Sequence, residues 1–352
     1  MRFTPPDKHQ KIYALAACMI LFIASIGLAR TSQLDAAHLS DISNISSGNI
    51  LSEGIPTSSE LKPILSPIAS NTPATSTKPA VTPVRSNPAD DITAQSYIVG
   101  NAATGQIYLS KNINLVNGIA SISKLFTAII VKENMSLSQE VEITQPMINV
   151  YPDSYGIEQG EELSVSDLLY AMLLQSNNNV AEGLAMAYSS PMTYASSTPG
   201  SVPTETSFID KMNVFAASIG LRLTHFQDAS GLAPGNISDA ADLFTFAQYL
   251  YHNEQDILAI TRTPSFSVAT GTSNLGHNFM NIDPFVGDPH LIGGKTGRTD
   301  DAGETMISIF DYQSKGKDYP IVVIVLHSAL LQRQVDSSKL YAKAISLITT
   351  NG

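Results

Sequence analysis

The chain predicts a mixed α/β (α+β) fold: one sheet assembled from both ends of a folded region, with a block of helices inserted between them. Three observations predict it. Two short strand candidates around a turn open the folded region at SYIVGNAATGQIYLS, from Ser96. Segments apolar at helical spacing fill its middle. A nearly continuous apolar run, YPIVVIVLH from Tyr319, marks a central strand near the end, and a helix follows it.

Taken in order, the first two strands flank a turn at Asn101 to Gly105. A helix begins near Ser121 and runs through KLFTAIIVKEN. LSVSDLLYAMLLQS reads as a helix with a capped start, Ser164 with Asp167 three residues on. NNVAEGLAMAY continues as a second helix. TSFIDKMNVFAASIG is another, stopped by Gly220. SDAADLFTFAQYLYHN follows, with Ser238 as the expected N-cap. Three strand candidates come next, PSFSVAT, ETMISIFDY and YPIVVIVLH. A helix over Gln332 to Leu347 closes the chain, and no further domain is expected after it.

The 352 residues divide by composition. Ile12 to Ala29, IYALAACMILFIASIGLA, carries no charge and is about as long as a membrane crossing requires. Arg2, Lys8 and Lys11 precede it, whereas Arg30 alone follows before Lys62, which places the N-terminus in the cytoplasm and the remainder outside. LAAC at Cys18 is similar to a bacterial lipobox, but the apolar run continues well past it. GLARTSQ is a poor signal-peptide cleavage site. Residues 1–30 are therefore expected to be an uncleaved single-pass anchor at the cell membrane. Residues 31–91, rich in Ser, Thr and Pro, are expected to be a disordered linker. Residues 92–352 form the extracytoplasmic domain.

Composition also excludes. Acidic residues outnumber basic ones by 31 to 20, net charge −11, and no Lys/Arg-rich run exists, which argues against a nucleic-acid partner. A single cysteine permits neither an intrachain disulfide nor a Cys-based zinc site. No two of the seven histidines stand at i, i+4, so a HExxH metal site is missing. Neither metal nor cofactor is expected.

Three short motifs carry the chemistry. In GIASISKLFTA, Ser121 and Lys124 form S-x-x-K on one helix face. A serine hydroxyl needs a base at neutral pH. A lysine serves only when its amine is neutral, which burial or a neighbouring cation brings about. In LLQSNNNVA, Ser176 and Asn178 form S-x-N at a junction between helices, where a cap and turn would use the same residue types. In LIGGKTGRTDDAGETMIS, Lys295, Thr296 and Gly297 give K-T-G just before a strand candidate. They read either as a glycine-rich turn with a stray lysine or as an edge strand able to pair with a peptide-like substrate, Gly297 admitting its backbone. Each motif alone is weak; an isolated S-x-x-K is usually chance.

Together they are specific, in the order that serine penicillin-recognising enzymes require. Ser176 lies 55 residues after Ser121, and Lys295 lies 119 after Ser176. The chain resembles the D-alanyl-D-alanine carboxypeptidase family, the low-molecular-mass penicillin-binding proteins. SYIVGNAATGQIYLSKN is similar to that family's opening hairpin and IASISKLFTA to its nucleophile segment. LSVSDLLYAMLLQSNNNVAEGLA, FIDKMN, GLRLTHFQDASGL and GGKTGRTDDAG follow in the family's order. The resemblance implies a β-lactamase/DD-peptidase-like transpeptidase fold, an antiparallel sheet flanked by helices with an inserted helical subdomain. It implies Ser121 as the acylated nucleophile, Lys124 as its base, Ser176 as a proton shuttle and Asn178 as a substrate-orienting amide. Lys295 and Thr296, with Thr299, would bind the substrate's terminal carboxylate, and the backbone N–H groups of Ser121 and Arg298 would form the oxyanion hole. The implied substrate is the peptidoglycan stem peptide, with β-lactams as inhibitors. Two positions depart from the family pattern: Asn177 stands where glycine is usual, and Ile119 where proline is common.

Four other readings are weighed. A D,D-endopeptidase would use the same residues. A class A β-lactamase needs a glutamate for deacylation, and SFIDKMN offers Asp210 but no glutamate. A silent wall-binding protein would not need all three motifs. A Ser-His-Asp hydrolase lacks its G-x-S-x-G elbow.

Overall fold

The computed structural model describes residues 91–152, 155–189 and 205–351. The expected anchor, and the linker up to residue 90, lie outside the described residues. Among the described residues, no helix is long and apolar enough to cross a membrane.

The elements run β1 (Ser96–Asn101), β2 (Ile107–Lys111), β3 (Asn117–Gly118), a 3-10 turn (Ala120–Ile122), α1 (Ser123–Asn134), β4 (Glu140–Glu142), α2 (Gln145–Ile148), β5 (Glu162–Ser164), α3 (Val165–Leu174) and α4 (Asn178–Tyr188). They continue α5 (Glu205–Ser218), β6 (Ile237–Ser238), α6 (Ala240–Asn253), α7 (Gln255–Thr261), β7 (Ser265–Val268), β8 (His277–Met280), β9 (Leu291–Thr299), β10 (Gly303–Ser314), β11 (Lys317–Ser328) and α8 (Arg333–Asn351). The main sheet is antiparallel, in the order β2-β1-β11-β10-β9. Strands from the two ends of the domain meet where β1 pairs with β11, Ser96 opposite Leu326.

The apolar run of β11 is buried on both faces, as the sequence requires. Its side chains alternate: Val322, Ile324 and Leu326 join the core shared with the helical block, while Ile321, Val323 and Val325 join the core under α8. Phe126 of α1 centres the larger core, stacked on Phe246 at 3.7 Å between ring centroids. The β10–β11 hairpin closes through Lys315 and Gly316, both at positive φ (50° and 74°), the geometry that suits strand twist in a two-residue turn. At the C-terminus of α5, Gly220 (φ 86°) supplies the left-handed residue, and Leu221 N–H donates to Ala216 O at 3.0 Å.

Several expectations are corrected. The segment PSFSVAT forms β7, but β7 pairs only with β8, outside the main sheet. The fifth strand of that sheet is β9, and K-T-G lies within it rather than before a strand. Glycines hide β9 from a propensity reading. They are there because an added Cβ would stand 2.7 Å from Leu258 O at Gly293 and 2.4 Å from Ile307 O at Gly294. The cap of α6 is Asp239, whose side chain accepts from Asp242 N–H, and not Ser238, whose hydroxyl is 2.8 Å from that of Thr224. Ser164 does cap α3, accepting from Asp167 N–H at 3.1 Å.

Candidate active site

The segment of the expected nucleophile is a strained turn ahead of α1. Ser121 sits inside the 3-10 turn, so the helix begins two residues later than the sequence suggests. Ala120 is held at φ 47°, a conformation rare without glycine that marks functional sites. Its surroundings enforce it. Ile119 N–H donates to Asn236 O at 3.0 Å, Ser123 Oγ donates to Ala120 O at 2.8 Å, and Thr305 Oγ1 donates to Ile119 O at 3.1 Å. Asn236 Nδ2 also donates to Ser123 Oγ at 2.9 Å. Two glycines press on the turn. A Cβ on Gly231 (φ 87°) would lie 2.0 Å from Ala120 O, and one on Gly297 would lie 2.9 Å from Ser121 N. Gly297 thus serves close packing of β9 on the nucleophile turn. The sequence reading had it admit a substrate backbone.

Lys124, one helical turn along, is fully buried. Its Nζ donates to Ser121 Oγ at 2.9 Å, Asn178 Oδ1 at 2.7 Å and Ser230 O at 2.6 Å. Burial first, and then the Lys295 charge, push its amine well below the ordinary lysine value, against Asp228 and Glu182. The geometry can therefore supply a neutral amine within hydrogen-bond reach of the hydroxyl, the condition for a general base. Asn178, the first residue of α4, joins this group through its side-chain oxygen.

Ser176 falls between α3 and α4 with φ 59°, and Asn177 caps α4 by accepting from Val180 N–H at 3.1 Å. The cap is Asn177, while Ser176 turns its hydroxyl to Lys295, whose Nζ donates to it at 3.0 Å. Lys295 Nζ also donates to Thr296 O at 2.9 Å. Burial lowers the Lys295 amine to about 7, with Asp283 opposing and Arg333 reinforcing. β9 is the edge strand of the sheet, so its outer rim beside Ser121 is the surface an extended peptide would pair with.

The remaining expected residues differ in engagement. Thr296 is buried beside Lys295. Thr299 is at the end of β9, where its Oγ1 accepts from Ala302 N–H at 3.0 Å and shapes the turn into β10. The Arg298 side chain is exposed, consistent with a role expected of its main chain alone. Asp210 lies exposed on α5.

Sequence reasoning missed the shell behind Lys124. Glu182, buried on α4, accepts from Ser230 N–H at 2.9 Å, and Asp228 accepts from Ser230 N–H at 3.1 Å and Gly231 N–H at 2.6 Å. Together they fix the carbonyl of Ser230 on the lysine. A lone acid in the apolar helix NNVAEGLAMAY was a usable signal for Glu182; a main-chain carbonyl leaves none. Arg333, at the start of α8, was also missed: its Nη1 donates to Gly297 O at 3.1 Å, tying the edge strand down.

Comparison with known proteins gives the family. The family described as D-alanyl-D-alanine carboxypeptidase matches residues 82–329. The chain is 28% identical over 226 residues to a D-alanyl-D-alanine endopeptidase of Pseudomonas aeruginosa, covering 62% of this chain and 67% of that one. It is 30% identical over 233 residues to the D-alanyl-D-alanine carboxypeptidase DacB2 of Mycobacterium tuberculosis, covering 64% and 74%. Its fold matches that of penicillin-binding protein D2 from Listeria monocytogenes, solved in a cefotaxime-bound form, with a TM-score of 0.60 and 26% identity over 74% of this chain and all of the other. With three ordered motifs, the hydrogen bonds that link them and a family match spanning most of the folded region, the chain belongs to the D-alanyl-D-alanine carboxypeptidase family.

Proposed function

We propose that the protein is a serine-type D-Ala-D-Ala carboxypeptidase that removes the terminal D-Ala from peptidoglycan stem peptides through an acyl-enzyme on Ser121. The observation that carries this reading is the buried Lys124 amine, 2.9 Å from Ser121 Oγ and held well below the ordinary lysine value. Neutral Lys124 takes the Ser121 proton as Oγ attacks the carbonyl carbon of the penultimate D-Ala. The resulting oxyanion is bound by the main-chain N–H groups of Ser121 and Arg298. Ser176 relays a proton to the departing D-Ala amine, and water then hydrolyses the ester. Asn178 orients the substrate amide. Lys295 and Thr296, with Thr299, bind the terminal carboxylate. β-Lactams acylate the same serine in place of substrate, a reading supported by the cefotaxime-bound form of the Listeria protein.

A second reading is a D,D-endopeptidase, favoured by the endopeptidase name of the Pseudomonas relative. Mass spectrometry of purified muropeptides incubated with the protein separates the two. Loss of one alanine from pentapeptides supports the carboxypeptidase. Resolution of cross-linked dimers to monomers, with pentapeptides untouched, overturns it in favour of the endopeptidase. The uncharged run Ile12 to Ala29, with basic residues ahead of it, supports anchorage in the cell membrane with the catalytic domain outside the cytoplasm.

A further inference from the structure

Among the described residues, Oδ2 of Asp283, like Oε1 of Gln175, is buried without a hydrogen-bond partner. Asp283 lies in the loop between β8 and β9 and is only 8% exposed. Its Oδ1 accepts from Phe285 N–H at 2.9 Å, and its own N–H donates to Asn281 Oδ1 at 2.9 Å. The loop is pinned on both sides. Asn281 Nδ2 donates to Thr261 O and Thr263 O, each at 2.8 Å, and Ile282 N–H donates to Leu174 O at 3.0 Å, two residues ahead of Ser176. Asp283 and Lys295 line one small pocket with Leu173, Leu174 and Thr261. A carboxylate left in such a place is costly unless a cation answers it. Lys295 is that cation, and no hydrogen bond joins the two, so they act on each other through space. Both side chains are buried, so the interaction is less screened than between exposed charges.

We propose that Asp283 is a positioning residue for the reaction: its buried carboxyl group, sharing a small pocket with Lys295, sets the charge that Lys295 presents to the substrate's terminal carboxylate. This rests on the role given to Lys295 above. The charged neighbours of Lys295 divide by element. Asp283 from the β8–β9 loop favours the ammonium form. Arg333 from α8 disfavours it, and Lys124 from α1, its own amine lowered in part by the Lys295 charge, is the other lysine of the site. From the α3–α4 junction and from α7 come the neutral hydroxyls of Ser176 and Thr261. Asp283 is thus the acid that offsets the Arg333 charge and the cost of burial. Its own carboxyl is pushed up by burial and drawn back by the Phe285 N–H, Lys295 and Arg333.

The test is Asp283→Asn, which keeps an oxygen for the Phe285 N–H and removes the charge. Initial rates of D-Ala release from a peptide ending in D-Ala-D-Ala are measured from pH 5.5 to 9. The native KM is expected to rise with pH as Lys295 loses its proton. In the variant this limb moves to lower pH by about one unit, giving about a tenfold higher KM at pH 8, with KM at pH 5.5 and kcat changed by less than about threefold. A merely structural role lowers kcat at every pH and leaves the limb in place, and that result overturns the proposal. A second measurement needs no variant. In native protein labelled with carbon-13 at aspartate carboxyl and lysine ε positions, the Asp283 carboxyl resonance must move through the titration of Lys295. A silent carboxyl there also overturns it. Penicillin labelling of Ser121 in the same samples tests the activity separately: labelled protein with an unmoved KM limb removes the role of Asp283 alone, whereas unlabelled native protein removes the activity.

Discussion

Replacing Lys124 with methionine isolates the base from the fold. The two side chains are similar in length and unbranched, so methionine can fill the fully buried site. What disappears is the amine bonded to Ser121 Oγ, Asn178 Oδ1 and Ser230 O. Loss of a positioned general base slows a reaction by about 10²- to 10⁴-fold, which corresponds to about 3–5 kcal/mol on the acylation barrier. Stability changes less. The Ser230 carbonyl and the Asn178 oxygen are left without this donor, a cost of about 1–3 kcal/mol for a buried acceptor. Removing a desolvated amine offsets part of it. The assay is the second-order rate constant for labelling by a fluorescent penicillin, with the melting temperature measured alongside. The native rate should climb with pH and level off above the amine's lowered pKa, because only the neutral amine accepts a proton; the variant should be slow and flat. Labelling within about threefold of native by a folded variant, or an unchanged pH limb, would refute Lys124 as the base.

Two further outcomes are expected. Gly297→Ala places a Cβ 2.5 Å from Thr305 Oγ1 and 2.9 Å from both Ile119 O and Ser121 N, which forces β9 off the nucleophile turn. Overpacking of this kind costs about 1–3 kcal/mol, and displacing one oxyanion donor costs about 10²- to 10³-fold in rate; the melting temperature and penicillin labelling check these together. Lys295→Met should flatten the pH dependence of stability. The folded amine, at about 7, binds its proton less tightly than the unfolded chain. Between that pH and the ordinary lysine value the unfolded state therefore carries more protons, and native stability rises with pH. Urea denaturation at pH 6, 8 and 10 should show this rise in the native protein and a smaller one in the variant, where the lowered Lys124 still contributes; equal slopes would contradict a buried, depressed Lys295.

The features legible in the amino-acid order are local. The i, i+3 spacing of Ser121 and Lys124, the Ser164 cap and the apolar run of β11 follow from helix and strand periodicity, which act over a few residues and leave direct marks. The order of the three motifs added the family, but not the distances. Tertiary structure alone decided which groups meet. Lys124 draws on a side-chain oxygen 54 residues away and a carbonyl 106 residues away, and a carbonyl is present at every residue, so composition cannot single it out. The glycines of β9 read as loop because strand propensity counts side chains, whereas their purpose is close approach to Leu258, Ile307 and the nucleophile turn. Asp239 displaced Ser238 as a cap for a similar reason: both residue types suit the position, and the Ser238 hydroxyl was taken by Thr224. The neutrality that Lys124 needs is the clearest case. A lysine in a sequence is a cation, and only burial beside a second lysine lowers its amine far below the ordinary value.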